Sequence, residues 1–127
     1  MVRSIPHSND TTSRDAAIAI KGDIPRLRAK VASTLARYSP KGDPNPHGLT
    51  DQQLQELTGL GPQTETPRRL ELTRVGVVVD SGRVRKTRAG RNAIIWVIDW
   101  LRCTQYVLDT GDISQLSKVK FLFKGTP

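Results

Sequence analysis

The sequence predicts an α+β fold, a winged helix-turn-helix with a three-helix core and a β-hairpin wing, together with an N-terminal helix and a C-terminal extension. Three observations carry this prediction. Two short helical segments within residues 49–76 are separated by Gly59, as in a helix-turn-helix. A basic, partly alternating segment follows over residues 77–91 and is typical of a β-hairpin. The apolar run Asn92–Val97 then supplies a strand that returns to the core.

The length of 127 residues predicts one domain with extensions. Residues 1–11 are polar and without periodicity, and we interpret them as a disordered arm. Residues 12–97 form the predicted winged-helix DNA-binding domain. Residues 98–127 form the C-terminal extension, which serves either packing or oligomerisation.

The first helices are indicated by caps and periodicity. Thr12–Lys21 is predicted as a short helix that Gly22 ends. Pro25 suits the first turn of a second helix that runs to about Tyr38, and its buried stripe recurs every four residues (Leu27, Val31, Leu35). Four basic side chains lie off this stripe and are expected to be solvated: Arg26, Arg28, Lys30 and Arg37. Residues 39–48 hold three prolines and two glycines and predict a loop.

The next helix has a capping box, because Gln53 follows Thr50 by three residues. We expect Leu54 and Leu57 to face inward and Gly59 to end this helix.

Pro67 constrains the third helix. Thr64 as N-cap would place Pro67 in the first turn, where its missing amide costs little. The helix would then end at Gly76, with Leu70 inward and Leu72 or Val75 flanking it. Arg68 and Arg69 would project from its N-terminal half.

The hairpin that follows has two turn signals. Ser81-Gly82 is predicted as a two-residue turn, and Ala89–Arg91 as a second turn or the loop of the wing. The exposed face is expected to carry Arg83, Arg85, Lys86, Arg88 and Arg91. Trp96 is expected to pack on the helices.

The C-terminal extension allows alternatives. Residues 98–108 extend the strand or form a helix that buries Trp100, Leu101, Val107 and Leu108. Residues 109–112 indicate a turn, Asp112 or Ser114 caps a final helical turn, and residues 118–124 resemble an edge strand. This apolar tail docks on a neighbouring subunit or packs on its own chain.

The charge points to a polyanionic partner. The net charge is +8 and the isoelectric point about 10.3. Eight basic and three acidic residues between Gly61 and Arg91 give that segment a net charge of +5. Seven of the eight are arginines, which form bidentate hydrogen bonds to phosphate and to guanine.

Other classes of protein receive little support. No apolar run approaches the length of a membrane span, and no signal-peptide core is present at the N-terminus. Cys103 is the single cysteine and is expected to be a buried filler, and with only two histidines no zinc ligand set is expected. His7 and His47 fall in polar segments, the aspartates are scattered, and no nucleophile motif or phosphate loop occurs. We therefore expect neither an enzyme nor a cofactor.

The candidate contacts are all to DNA. Arg68 and Arg69 are candidates for the major groove. Residues at the entrance of the third helix are suited to phosphates or a base: Gln63, Thr64 and Thr66. The wing is suited to the backbone or the minor groove through Arg83, Arg85, Lys86, Arg88 and Arg91. Glu71 is expected to hold an arginine in place, and Arg74 to favour the negative end of the helix dipole.

The segments TSRDAAIAI, LTDQQLQELTGL, PRRLEL and VVVDSGRVRKTRAGRNAIIWV resemble a family of small bacteriophage winged-helix proteins. The resemblance covers Thr12–Val97, and its specific part lies in Pro67–Leu72 and Asp80–Trp96. It implies a phage-encoded duplex-DNA binder in the cytoplasm of an infected bacterium, with DNA-facing residues Arg68, Arg69, Arg83, Arg85 and Arg88. The loop over residues 39–48 and the extension after Val97 depart from the family pattern.

We therefore expect a DNA-binding regulator of phage transcription or replication. The alternatives are an adaptor that binds a host protein such as RNA polymerase, and an RNA-binding or virion-associated basic protein. Few aromatic residues are available for stacking on RNA bases, which favours duplex DNA. A homodimer would read an inverted repeat and a monomer a short asymmetric site.

Overall fold

A computed structural model describes residues 23–116 of the chain. These residues form an α+β structure of four helices and one two-stranded antiparallel sheet. In chain order the elements are α1 (23–37), α2 (Asp51–Thr58), α3 (Pro62–Arg74), β1 (Val78–Lys86), β2 (Asn92–Ile98) and α4 (Trp100–Thr110). Three predicted features lie outside the described residues: the arm over 1–11, the helix Thr12–Lys21 and the edge strand over 118–124.

Helix α1 supplies one side of the core. Its predicted stripe of Leu27, Val31 and Leu35 is buried, as expected from the four-residue spacing. Alanines at 29, 32 and 36 widen this stripe, and their small side chains allow neighbouring elements to approach the helix closely. The expectation that Arg28 is solvated is wrong. Its guanidinium is half-buried and forms ion pairs with Glu71 and Asp112.

The proline-rich loop over residues 39–48 is confirmed, and it is anchored at both ends. The Ile98 amide donates to Ser39 Oγ at 2.8 Å, and the Gly48 amide donates to the Tyr38 carbonyl at 2.7 Å. Gly48 has φ +67°, and a Cβ atom there would lie 2.6 Å from the Trp96 carbonyl oxygen. Only glycine fits this position without displacing β2. Leu49 then forms an isolated antiparallel bridge with Trp96.

Helix α2 begins and ends as its sequence predicts. The Gln53 amide donates to Thr50 Oγ1, and Gln53 Oε1 accepts from the Thr50 amide, which completes the capping box. Gly59 ends the helix in the left-handed conformation. Leu54 is buried as expected, but the prediction for Leu57 is wrong because its side chain is exposed. A helix of eight residues buries only a narrow stripe.

Helix α3 begins earlier than predicted. Its N-cap is Gly61 and Pro62 occupies the first helical position, so Thr64 is not the N-cap. The reason is that proline at this position loses no hydrogen bond and already has helical φ. Pro67 therefore lies inside the helix. The end is confirmed, because Gly76 follows the helix with φ +84°. Of the two predicted flanking residues, Leu72 is buried and Val75 is exposed, whereas Leu70 is exposed, contrary to prediction.

Strands β1 and β2 form the predicted hairpin, but Ser81-Gly82 is not its turn. Both residues lie within β1, where the pairing shifts between Asp80 and Val84 and so defines a bulge. The Gly82 amide donates to Asp80 Oδ1 at 2.7 Å, which stabilises the bulge locally. The hairpin turns at residues 87–91, where the Thr87 amide donates to the Arg91 carbonyl. This agrees with the second turn signal. Trp96 is buried in the core as predicted.

Of the two alternatives for residues 98–108, the helix is confirmed from Trp100 onward, whereas Ile98 is the last residue of β2. Asp99 caps α4 and Gly111 ends it in the left-handed conformation. Trp100 and Val107 are partly buried against the core, whereas Leu101 and Leu108 are exposed, contrary to the helical prediction. Asp112 then accepts from the Ile113 amide ahead of a single helical turn over residues 114–116. None of the helices within residues 23–116 combines the length and the apolar character that a membrane crossing requires.

Candidate nucleic-acid interface

Arg68 and Arg69 of α3 do not project from the helix. Their exposed fractions are 7% and 9%, and each forms a bidentate ion pair. Arg68 bonds Glu71 at 3.0 and 2.7 Å, which confirms that Glu71 holds an arginine in place. Arg69 bonds Asp51 of α2 at 2.9 and 2.7 Å. The sequence-based expectation that these two side chains point outward is wrong.

The inward face of α3 explains this burial. Its buried residues are Glu65, Arg68, Arg69 and Leu72, which have the i, i+3, i+4, i+7 spacing of one helix face. The guanidinium carbon of Arg69 lies 4.1 Å from the centroid of the Trp96 ring, so its charge meets both a carboxylate and an aromatic face. Arg69 therefore joins α3 to α2 and to Trp96 of β2, whereas the pair of Arg68 with Glu71 lies within α3.

Glu65 is the most deeply buried ionisable side chain on this face and has no exposed surface. Its Oε1 accepts hydrogen bonds from Gln55 at 3.0 Å and from Thr66 at 3.2 Å, while Oε2 accepts none from a described residue. Burial, and then the neighbouring Asp51 carboxylate, raise the pKa of Glu65 to about 8. When Glu65 is protonated, its hydroxyl can donate a hydrogen bond to the Asp51 carboxylate, which gives Oε2 a partner.

The opposite, outward face of α3 carries a different set of side chains. Gln63, Leu70 and Arg74 are exposed and Pro67 is half-buried, at the i, i+4, i+7, i+11 spacing of a single ridge. We call these four residues the α3 ridge. Thr66 lies half-buried beside it, and its hydroxyl donates to Glu65. Thr64 is also half-buried. The ridge carries only one charge, that of Arg74.

Arg83 and Arg85 of β1 are half-buried and directed toward the proline-rich loop. Arg83 donates to the Pro46 carbonyl. Arg85 donates to the His47 carbonyl at 3.0 Å and to Gln53 Oε1 at 2.5 Å. The exposed residue between them is Val84. The expectation that both arginines lie on the exposed face of the hairpin is therefore wrong, since they tie the hairpin to the loop and to α2.

The remaining three predicted cations of the hairpin are exposed at or beside its turn: Lys86, Arg88 and Arg91. We call them the basic turn. Arg88 forms an exposed ion pair with Glu56 of α2, and its amide donates to Gln52 Oε1 at 3.3 Å. No acidic residue occurs between Ser81 and Ile98, so the turn concentrates positive charge.

The described residues were also compared with the requirements of a metal site and of a reactive thiol. Residues 23–116 contain no cluster of three or more histidine, cysteine, aspartate or glutamate side chains that could hold a metal ion. Cys103 is buried as predicted, and burial raises the pKa of its thiol to about 11. A thiol with that pKa is almost entirely protonated near neutral pH and is a poor nucleophile.

Comparison with protein-family models, curated proteins and solved structures gave no match to this chain. The resemblance to phage winged-helix proteins therefore stays a prediction.

Sequence reasoning missed the α3 ridge because it assigned the inward face of α3 to leucine. The true inward face contains three charged residues, so a search for apolar periodicity cannot find it. The sequence did contain one usable signal, the pairing of Gly61 with Pro62 at the helix start. A helix that begins at Pro62 contains Pro67 in its interior, but this start does not determine which face of the helix is buried.

Proposed function

We propose that this protein binds duplex DNA as a winged helix, with α3 in the major groove and the basic turn on the sugar–phosphate backbone. The order of the elements supports the proposal. Helices α2 and α3 are joined by the short connection Gly59–Gly61, and a hairpin follows directly. The Leu49–Trp96 bridge adds a third extended segment beside the hairpin.

The observation that carries the proposal is the basic turn. Its three cations lie within six residues, on a hairpin whose stem is fixed to α2 by Arg85. A fixed cluster of lysine and arginine suits phosphate groups, because it neutralises their charge and releases condensed counterions. Glu56 is the one acidic partner of this cluster in the described chain, and the ion pair that it forms is exposed and weak.

The roles of individual residues differ from those that the sequence suggested. Arg68, Arg69, Arg83 and Arg85 maintain the shape of the domain. The α3 ridge and Thr66 contact base edges. Gln63 and Arg74 are the hydrogen-bond donors of the ridge. Contacts to phosphates belong to the basic turn. In this proposal the protein regulates phage transcription or replication in the cytoplasm of an infected bacterium.

The test is fluorescence anisotropy of the full chain with a duplex of about two helical turns, over a series of salt concentrations. The triple variant Lys86→Ala, Arg88→Ala, Arg91→Ala should bind more weakly than the unmodified protein. The slope of log K against log salt should fall in magnitude by about 2 to 3, because each lost phosphate contact removes roughly 0.9.

The matched control is the triple variant Arg26→Ala, Lys30→Ala, Arg37→Ala on α1, which removes the same charge from three exposed positions. Its salt slope should stay close to that of the unmodified protein. Equal losses in the two triple variants contradict a specific role for the basic turn. A complete absence of duplex binding at low salt contradicts the proposal and favours the protein-binding adaptor.

A further inference from the structure

Leu70 lies at the centre of the outward face of α3, where a soluble helix normally carries a polar side chain. Its exposed fraction is 38%, and it has Pro67 one turn before it and Arg74 one turn after it. The inward face is occupied by the buried arginines and Leu72, so Leu70 has no place in the core. Leu70 is one of seven exposed large apolar side chains among residues 23–116, and it is the one that lies on the α3 ridge.

A protein partner is a weak explanation for this side chain. The ridge around Leu70 has a polar end at Gln63 and a charged end at Arg74, with the half-buried threonines 66 and 73 on one flank. Protein-binding patches are larger continuous apolar surfaces, of a few hundred Å² or more. Leu70 and the half-buried Pro67 offer a small apolar contact, with Gln63 and Arg74 as hydrogen-bond donors at the two ends of the ridge.

That combination matches the chemistry of successive A·T base pairs in the major groove, because Gln63 and Leu70 are roughly 10 Å apart along the helix and would contact different base pairs. Thymine is the one DNA base with a methyl group in that groove, and apolar side chains contact it there. Glutamine forms a bidentate hydrogen-bond pair with the N6 and N7 atoms of adenine. On the α3 ridge, Gln63 and Leu70 are seven residues apart and therefore lie on the same side of the helix, two turns apart.

We infer that Leu70 is a specificity-determining residue that contacts the C5-methyl group of thymine, so that α3 selects A·T-containing sites. This inference rests on the proposed function, since it requires α3 to enter the major groove. The minor groove contains no thymine methyl group, so a contact made by the basic turn in that groove gives no such selection.

The experiment compares three duplex probes of equal length by fluorescence anisotropy at one salt concentration. The first contains alternating A·T pairs, the second has deoxyuridine in place of every thymidine, and the third contains alternating G·C pairs. The protein should bind the thymidine duplex about fourfold more tightly than the deoxyuridine duplex, the effect of burying one methyl group. It should bind the G·C duplex more weakly than the thymidine duplex.

The variant Leu70→Ala should bind the thymidine and deoxyuridine duplexes equally. The variant Leu57→Ala is the matched control, because it removes an exposed leucine from α2 and should keep the preference for thymidine. Equal affinity of the unmodified protein for the two A·T probes overturns the inference, and so does a preference that survives in Leu70→Ala. Either result leaves duplex binding itself intact. Failure to bind any of the three probes overturns the proposed function instead.

Discussion

At the scale of single residues, the domain depends on charged side chains that are buried. Glu65 has no exposed surface, and Arg69 lies between the Asp51 carboxylate and the ring of Trp96. A buried charge is costly unless a partner or a proton neutralises it. Arg69 meets this requirement through a bidentate ion pair, and Glu65 meets it through its raised pKa.

The titration of Glu65 leads to a prediction about stability and pH. Its pKa is about 8 in the folded protein and 4.5 in an ordinary environment, so the folded state binds the proton more tightly. The free energy of unfolding should therefore contain a contribution that is fully present below about pH 4.5 and is lost as the pH rises through about 8. The variant Glu65→Gln mimics the neutral acid and should lack this loss.

Urea denaturation of both proteins between about pH 5 and about pH 9 checks this expectation. Glu65→Gln should become the more stable of the two at the alkaline end. The control Glu56→Gln changes an exposed glutamate and should follow the unmodified protein. Parallel pH profiles for Glu65→Gln and the unmodified protein would show that the pKa of Glu65 is not raised in the folded state, and that Glu65 is therefore ionised at neutral pH.

At the scale of elements, the unusual helix is α3. It contains a proline in its interior and has charged residues on its buried face. Pro67 has no amide hydrogen, so the Gln63 carbonyl receives no hydrogen bond from the residue four positions later. Tertiary contacts rather than helix propensity therefore hold α3 in place, mainly through the ion pairs of Arg69 with Asp51 of α2 and of Glu71 with Arg28 of α1.

Replacement of Pro67 should consequently stabilise the protein. Pro67→Ala restores an amide donor to the Gln63 carbonyl and removes the clash of the ring with the preceding turn, so the free energy of unfolding should rise by about 1 to 3 kcal/mol. Urea denaturation measures the change. Pro62→Ala is the control, because proline at the first helical position loses no hydrogen bond and its replacement should have little effect. A lower stability of Pro67→Ala would mean that the ring itself packs favourably.

At the scale of the whole molecule, one half-buried ion network joins the beginning of the described chain to its end. Arg28 of α1 bonds Asp112 at 2.6 Å and Glu71 of α3 at 3.1 Å. Asp112 also accepts from the Tyr106 hydroxyl of α4 at 2.7 Å. The network therefore fixes α4 and the segment after it to the helical core.

Removal of Arg28 should weaken the whole domain. Arg28→Ala leaves two carboxylates without their shared partner, and the free energy of unfolding should fall by about 2 kcal/mol, less than for a fully buried pair. Thermal and urea denaturation measure this loss. Arg26→Ala on the same helix removes an exposed pair with Asp23 and should change stability by less than about 0.5 kcal/mol. Similar values for the two variants would show that the network contributes no more than a surface pair.

The sequence by itself determined the order of the elements, because their ends are set by local chemistry. The capping box at Thr50, the glycines at 59 and 76 and the apolar stripe of α1 act over a few residues and can be identified without the fold. The exposure of the basic turn could also be predicted, because charged residues at the end of a hairpin are usually solvated. Local signals were misleading at Ser81-Gly82, where the same residue types form a bulge within a strand.

Only the tertiary structure decided which arginines face outward. Arg68 and Arg69 carry no local feature that distinguishes them from Arg74, and their burial depends on Glu71, Asp51 and Trp96, two of which are distant in sequence. A bidentate partner and an aromatic face can stabilise a guanidinium in the interior, so charge alone does not place a residue on the surface. The exposure of Leu70 follows from the same fact, because the arginines occupy the face that leucine would otherwise fill.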